Sequence, residues 1–150
     1  MTTTSSPALT PHGPGFRFID RFEKTGSLCG RGWKHLVNDA PYFRDHFPDH
    51  PVMPAVLLVE CAAQTAGVLI MQGSDHPGMP LFLASIDKFR IHGPVFPDEV
   101  LETTVTIEKE LGPLIVVEVE CKVNDRMVAR GGLMLSRQLG GIVQKEDHGA

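Results

Sequence analysis

Residues 54–72 spell a helix that is apolar around most of its circumference and yet carries one carboxylate, and few folds can house such an element. Pro54 stands at its start, where a missing N–H removes no helix hydrogen bond, and Gly73-Ser74-Asp75 ends it. Val56, Leu57, Val59, Ala63, Ala66, Gly67, Leu69 and Ile70 cover nearly every face, so the pattern predicts a helix buried all round rather than an amphipathic one. Glu60 and Gln64 lie one turn apart on the same face. A carboxylate buried without partners costs several kcal/mol. Glu60 is therefore either a structural residue satisfied by Gln64 or the backbone, or an acid kept there for chemistry.

The segment leading into the helix favours chemistry. His46 to Pro54, HFPDHPVMP, holds three prolines in nine residues. Proline fixes φ and removes backbone donors, so the loop is stiff enough to hold an imidazole in one place. It delivers the chain to the helix N-terminus at Ala55 and Val56, where free backbone N–H groups and the helix dipole can polarise a carbonyl oxygen. His46 precedes Glu60 by 14 positions. An imidazole that titrates near neutrality, a carboxyl in apolar surroundings and a backbone oxyanion donor are what proton transfer needs. The plain alternative for His46 is a core histidine bonded to backbone. His50, followed directly by Pro51, is a rival without a paired acid.

The rest of the chain reads mostly as strands. Leu28 to Val37 is one, and Pro41 to Asp45 is a short turn or helical piece before the proline loop. After the helix, Leu81 to Ile86 and Lys88 to His92 read as two short strands. Val100 to Leu111 alternates, with Leu101, Thr103, Val105 and Ile107 on one face and Glu102, Thr104, Thr106 and Glu108 on the other. Gly112-Pro113 turns into Leu114 to Val123, and Asn124-Asp125 turns into Met127 to Leu135. One long apolar helix followed by an antiparallel meander predicts an α+β fold, its sheet curled around the helix. Residues 15–137 form this single domain. The Thr-, Ser- and Pro-rich residues 1–14 are expected to be disordered, and residues 138–150 to form a flexible tail.

Composition excludes other classes. A net charge of −4 and a pI near 5.9 offer no basic face for nucleic acid. Glu60, Gln64 and Thr65 interrupt the longest apolar region, Ala55 to Met71, which argues against a membrane span. MTTTSSPALTPHGPG has neither the basic opening nor the apolar stretch of a secretory signal, so a cytoplasmic location is expected. Cys29, Cys61 and Cys121 are odd in number and widely spaced, which predicts reduced thiols rather than a disulfide or metal site. Cys61 adjoins Glu60, so on a helix it faces away from whatever Glu60 serves. Neither metal nor cofactor is expected.

DHFPDHPVMPAVLLVECAAQ resembles the signature GHFPxxPVMPGVLxxEAxAQ of the (3R)-hydroxyacyl-[acyl-carrier-protein] dehydratases of type II fatty acid synthesis, FabZ type. LASIDKFRIHGPVFPDEV resembles that family's second block and VNDRMVARG its last hairpin, so the resemblance runs from about Phe16 to Leu135. It implies a hot-dog fold, a long helix wrapped by an antiparallel sheet, paired into a dimer with the active site at the interface. His46 of one subunit would take the α-proton of a 3-hydroxyacyl thioester, and Glu60 of the other would help the 3-hydroxyl leave as water. The N–H of Ala55 would stabilise the enolate-like oxygen, and Gln64 would orient Glu60.

Phe47, Val56 and Phe89 would wall an acyl tunnel, and Arg44, Lys88 and Arg90 would meet an acidic acyl carrier protein. Plain core packing for the first three and an ordinary solvated face for the cations are the competing readings. The assembly implied is a homodimer, a trimer of dimers or a heterodimer. The dehydratase-isomerase branch carries Asp where Glu60 stands, which argues against isomerisation. The family has Gly where Asp45 and Ala55 stand, and often where Asp49 stands. A positive φ is expected at Asp45, together with a carboxylate able to turn toward His46, and the methyl of Ala55 is expected to crowd the thioester. These departures suggest a divergent, active relative with another substrate. Two alternatives remain: a hot-dog acyl thioesterase, and a non-catalytic acyl-binding or heterodimer subunit.

Overall fold

The structure, a computed structural model, describes residues 3–5, 9–74 and 79–138, with the side chains of 3–5 left out. In chain order its elements are β1 (Thr3–Ser5), a 3-10 turn (Pro14–Phe16), β2 (Arg21–Lys24), β3 (Cys29–His35), α1 (Pro41–Asp45), α2 (Ala55–Gln72), β4 (Phe82–Ile91), β5 (Val100–Leu111), β6 (Leu114–Val123) and β7 (Arg126–Ser136). Among the described residues, seven strands form one sheet in the order β1-β2-β3-β5-β6-β7-β4, every neighbouring pair antiparallel. The sheet folds around α2, which packs chiefly on β5 and β3. This is the hot-dog arrangement.

Alternation builds the sheet as expected. In β5, Leu101, Thr103 and Val105 are buried, while Glu102, Thr104 and Thr106 between them are half-buried. Leu111 pairs with Leu114 across the first hairpin turn, and Val123 pairs with Arg126 across the second. Asn124 and Asp125 take φ of 47° and 65°, the left-handed pair that a two-residue hairpin needs. Gly32 on β3 lets the helix approach closely. A Cβ there would lie 2.7 Å from Thr65 Oγ1 and 2.9 Å from Ile19 Cδ1.

Four expectations change. The segment through residue 14 is not structureless where it is described. Thr3–Ser5 pair with Arg21–Glu23, and Leu9 and Thr10 are buried against the domain. A single leucine among Thr, Ser and Pro carries no periodic signal, which is why the sequence conceals it. The four-residue β2 was likewise unread, because Phe22 is its one buried side chain. The two short strands after the helix are one strand, β4, whose register with β7 shifts between Asp87 and Arg90. Lys88 sits in that bulge at φ 47°, and Gly131 opposite leaves the room, since a Cβ there would lie 2.4 Å from Phe89 Cα. Residues 139–150 lie outside the described residues, so nothing bears on the tail beyond Gln138.

The fourth change concerns α2. Its 18 residues have a mean hydropathy of 1.6, enough by length and composition alone to cross a membrane. In this fold its buried side, from Leu58 through Ile70, faces the sheet. It is not buried all round, however. Ala55 and Val56 are exposed, Val59, Glu60, Ala63 and Gly67 are half-buried, and Val56 leaves 74% of its surface open.

The three thiols are free, and two lie in the core. Burial pushes the Cys61 thiol well above its ordinary range and raises Cys121 to about 11. Cys29 is half-buried, its Sγ 3.7 Å from Thr106 Oγ1. Alkylation of the native protein at mildly alkaline pH, read by peptide mass spectrometry, should modify Cys29 first. Cys61 and Cys121 should react at least about a hundredfold more slowly, through opening of the fold.

Candidate active site

The Glu60 side of the site is built by one amide. Gln64, 3% exposed, accepts the Phe18 N–H on Oε1 at 2.8 Å. Its Nε2 donates to the Phe16 carbonyl and to Glu60 Oε1, both at 2.9 Å. The orientation is unambiguous, since an N–H must meet the amide oxygen and a carbonyl and a carboxylate must meet its NH2. Gln64 thus ties the 16–18 segment to α2 and fixes the carboxylate one turn away. Glu60 is half-buried rather than enclosed, at 26% side-chain exposure. Its other neighbour is His12, whose Nε2 lies 3.6 Å from Glu60 Oε1.

The His46 side is built by the proline loop. His46 follows the last residue of α1, and its Nδ1 lies 2.9 Å from the Val52 carbonyl. A carbonyl only accepts, so Nδ1 carries the hydrogen and Nε2 keeps the lone pair of a base. Val52 N–H returns a bond to the His46 carbonyl at 2.9 Å, and Phe47 and His50 exchange two backbone bonds of 3.1 Å. Met53 N–H anchors the loop on Val95 at 2.8 Å. The Phe47 ring stacks on His46 at 4.1 Å. At the start of α2, Pro54 supplies no side-chain cap, and Ala55 and Val56 lie in the first turn, whose N–H groups lack intrahelical partners.

Within one chain these two sides do not meet. Glu60 lines a cavity of about 220 Å³ together with Thr10, His12, Gln64, Gly67 and Leu81, and His46 is not among its walls. Phe47 instead borders an open groove with His50, Pro51 and Phe96. Val56 stands exposed at the helix start, and Phe89 packs against the core. None of these three lines the Glu60 cavity, whose apolar walls include Ala63, Gly67, Met71 and Leu81. Arg44, Lys88 and Arg90 are all exposed, and Arg44 pairs with Asp45 at 3.4 Å. Asp45 closes α1 without a positive φ, because its backbone is helical, and its carboxylate turns to Arg44 and solvent rather than to His46. Asp49 lines the open groove. Among the described residues, no group of three His, Cys, Asp or Glu side chains could hold a metal ion.

His12 is the site residue that sequence reasoning passed over. It sits in the segment read as disordered, and the one available signal was its setting, a histidine between Pro11 and Pro14 much as His46 lies in a proline loop.

A family model for the FabA-like domain matches residues 10–131. The chain is 35% identical over 137 residues to the 3-hydroxyacyl-[acyl-carrier-protein] dehydratase FabZ of Herpetosiphon aurantiacus, covering 91% of this chain and 97% of that one. It is 35% identical over 123 residues to the enzyme of the same name from Streptococcus pneumoniae, covering 82% and 88%. Among solved structures, the dehydratase heterocomplex ApeI:P from Xenorhabdus doucetiae superposes with a TM-score of 0.75 at 14% identity, over 87% of this chain and 89% of that one, a likeness of fold. The chain belongs to the FabA-like family, on its FabZ-type branch.

Replacing Gln64 by Ala should leave the Phe18 N–H and Phe16 carbonyl without partners and destabilise the fold by roughly 2–4 kcal/mol. Urea unfolding measures this. A midpoint equal to that of the parent chain would show that the amide is not what fastens the 16–18 segment.

Proposed function

We propose that this chain dehydrates a (3R)-3-hydroxyacyl thioester on acyl carrier protein to the trans-2-enoyl thioester, in a site that two copies complete together. The observation that carries the reading is the pair of prepared half-sites. The hydrogen bond to Val52 leaves His46 with Nε2 as its lone-pair nitrogen, and Gln64 holds Glu60, yet one chain keeps the two apart. Both proton-transfer residues lie at the positions that the FabZ-type motif gives them.

Pairing of copies is supported by what one chain leaves uncovered. β4 is an edge strand of ten residues with Leu83, Ile86 and Ile91 exposed, and the open side of α2 adds Val56. A long apolar edge of this kind is a template for a second strand. A two-fold pairing brings each patch against its own copy and would set His46 of one subunit opposite Glu60 of the other.

In that site His46 Nε2 takes the proton from C2, and its electron pair forms the C2=C3 double bond. The C3–O bond breaks as Glu60 gives its proton to the departing hydroxyl, which leaves as water. The Ala55 N–H, at the positive end of α2, receives the thioester oxygen as charge gathers there, a contribution of roughly 3 kcal/mol. Ala55 is exposed, and its N–H belongs to the first turn, whose donors lack intrahelical partners. Gln64 orients Glu60. The cavity beyond Glu60 takes the acyl chain along Ala63, Gly67 and Met71, with Phe47 and Val56 flanking the way in. The exposed Arg44, Lys88 and Arg90 receive the acidic carrier protein. The reading includes a cytoplasmic place of action.

Mass spectrometry of a (3R)-hydroxyacyl carrier protein incubated with the chain should show loss of one water, slowed at least about a hundredfold by Glu60→Gln. Release of a free thiol would identify a thioesterase instead, and an unchanged acyl group across several chain lengths a non-catalytic subunit. A second experiment tests the shared site. His46→Ala and Glu60→Gln should each be inactive alone. Unfolded and refolded together in equal amounts, they should recover about a quarter of parental activity, because half the dimers are mixed and each mixed dimer has one intact site. No recovery would mean that each site lies within one chain.

A further inference from the structure

His12 stands beside Glu60 on the wall of the same cavity, and several contacts hold it there. Leu9 and Thr10 anchor the segment by burial. Arg17 Nε donates to the His12 carbonyl at 2.9 Å, and the ring rests 5.9 Å from Phe16. Thr10 Oγ1 accepts the His12 backbone N–H at 3.4 Å and also meets the ring at Nδ1. Once Glu60 has given up its proton it only accepts, so Nε2 is then the nitrogen that presents a hydrogen to it, and Nδ1 accepts the Thr10 hydroxyl hydrogen. With 34% of its side chain exposed, the ring is open to water as well as standing beside the carboxylate.

Among the described residues, both protein contacts of the Glu60 carboxylate, from Gln64 and from His12, fall on Oε1. We propose that His12 is a positioning residue for the dehydration, which holds Glu60 through Oε1 and returns to it the proton lost in each turnover. The inference rests on the function proposed above and extends it. After water leaves, Glu60 is a carboxylate and His46 an imidazolium. Nε2 of His12 passes its proton to Glu60 Oε1 while Nδ1 takes one from solvent, and Glu60 gives the proton on Oε1 to the next 3-hydroxyl. The ring regains its first tautomer by losing the Nδ1 proton to solvent and taking one at Nε2, and His46 releases its own proton to solvent, so protons and charge balance over the cycle. The 3.6 Å gap exceeds a hydrogen bond, so the transfer requires the ring to close by a few tenths of an ångström, as ligand-free catalytic contacts commonly do. Among the described residues, the charged groups that face His12 are Glu60 from α2 and Arg17 at its carbonyl, and β4 and β7 bring Phe82, Leu83 and Leu135 to the same cavity.

The test compares the full-length parent, His12→Ala, His12→Gln and Glu60→Gln on one 3-hydroxyacyl carrier protein, with kcat and KM followed across pH and with added imidazole. His12→Ala should lose about 10- to 100-fold in kcat with KM changed less than about threefold. Imidazole should restore part of that kcat in a dose-dependent way, and it should restore nothing to Glu60→Gln. His12→Gln, which keeps a donor but cannot relay a proton, should lose a similar factor in kcat at an unchanged melting temperature. Full activity in His12→Gln, or a loss in His12→Ala that imidazole leaves untouched, would show a structural donor only and overturn the relay. If the parent itself forms no enoyl product, the dehydratase reading fails and His12 loses this role with it, an outcome distinct from an active parent with indifferent His12 variants.

Discussion

Gln64 places a primary amide in the core where three polar groups converge: the Phe18 N–H, the Phe16 carbonyl and the Glu60 carboxylate. The Phe18 bond is fully buried, where an unmet donor would be costly, the other two lie at the edge of the core, and one side chain with a fixed orientation satisfies all three. The consequence reaches in two directions. Toward the sheet, it fastens the segment that leads into β2. Toward the open face of α2, it holds a carboxylate at the rim of a cavity. Site and fold therefore share one hydrogen-bonding unit, and no buried side-chain nitrogen or oxygen among the described residues lacks a partner.

The loop at His46 reaches the same end by other means. Prolines 48, 51 and 54 remove backbone donors, and the N–H groups of Phe47, His50, Val52 and Met53 tie the loop to itself and to Val95. Val52 takes part twice, giving its N–H to the His46 carbonyl and its carbonyl to the ring. The tautomer of the imidazole is thus set by backbone rather than by another titratable group. In the function proposed above, that leaves Glu60 free to act on the opposite end of the reaction.

Most of the fold was legible because its signals are local. Alternation in β5, the two-residue turn at Asn124-Asp125 and the proline that opens α2 each act within a few residues. The Glu60–Gln64 pair was legible for the same reason, since helical spacing alone puts the two on one face. What escaped was tertiary. Leu9, Thr10 and His12 owe their order to contacts with residues far along the chain, and a Thr-, Ser- and Pro-rich segment carries no pattern that announces them. The break read at Asp87-Lys88 was real in the sequence, but a bulge accommodated it because Gly131 on the neighbouring strand leaves space. Apolar type likewise does not distinguish a cavity wall from core packing, and Phe89, read as a wall, packs on the core.

The glycine departures look different once the backbone is known. A glycine is demanded where φ is positive or where a Cβ would collide, and neither holds at Asp45, which ends α1 in helical conformation with its side chain in solvent. At Ala55 the methyl projects from an exposed helix start, and the N–H that the proposed chemistry would use is backbone, independent of side chain. Neither residue takes part in the hydrogen bonds that hold His46 and Glu60. In the function proposed above, their effect falls on whatever lies against that surface, the partner copy and the thioester between them, and divergence at these positions is then a matter of how substrate and subunit fit.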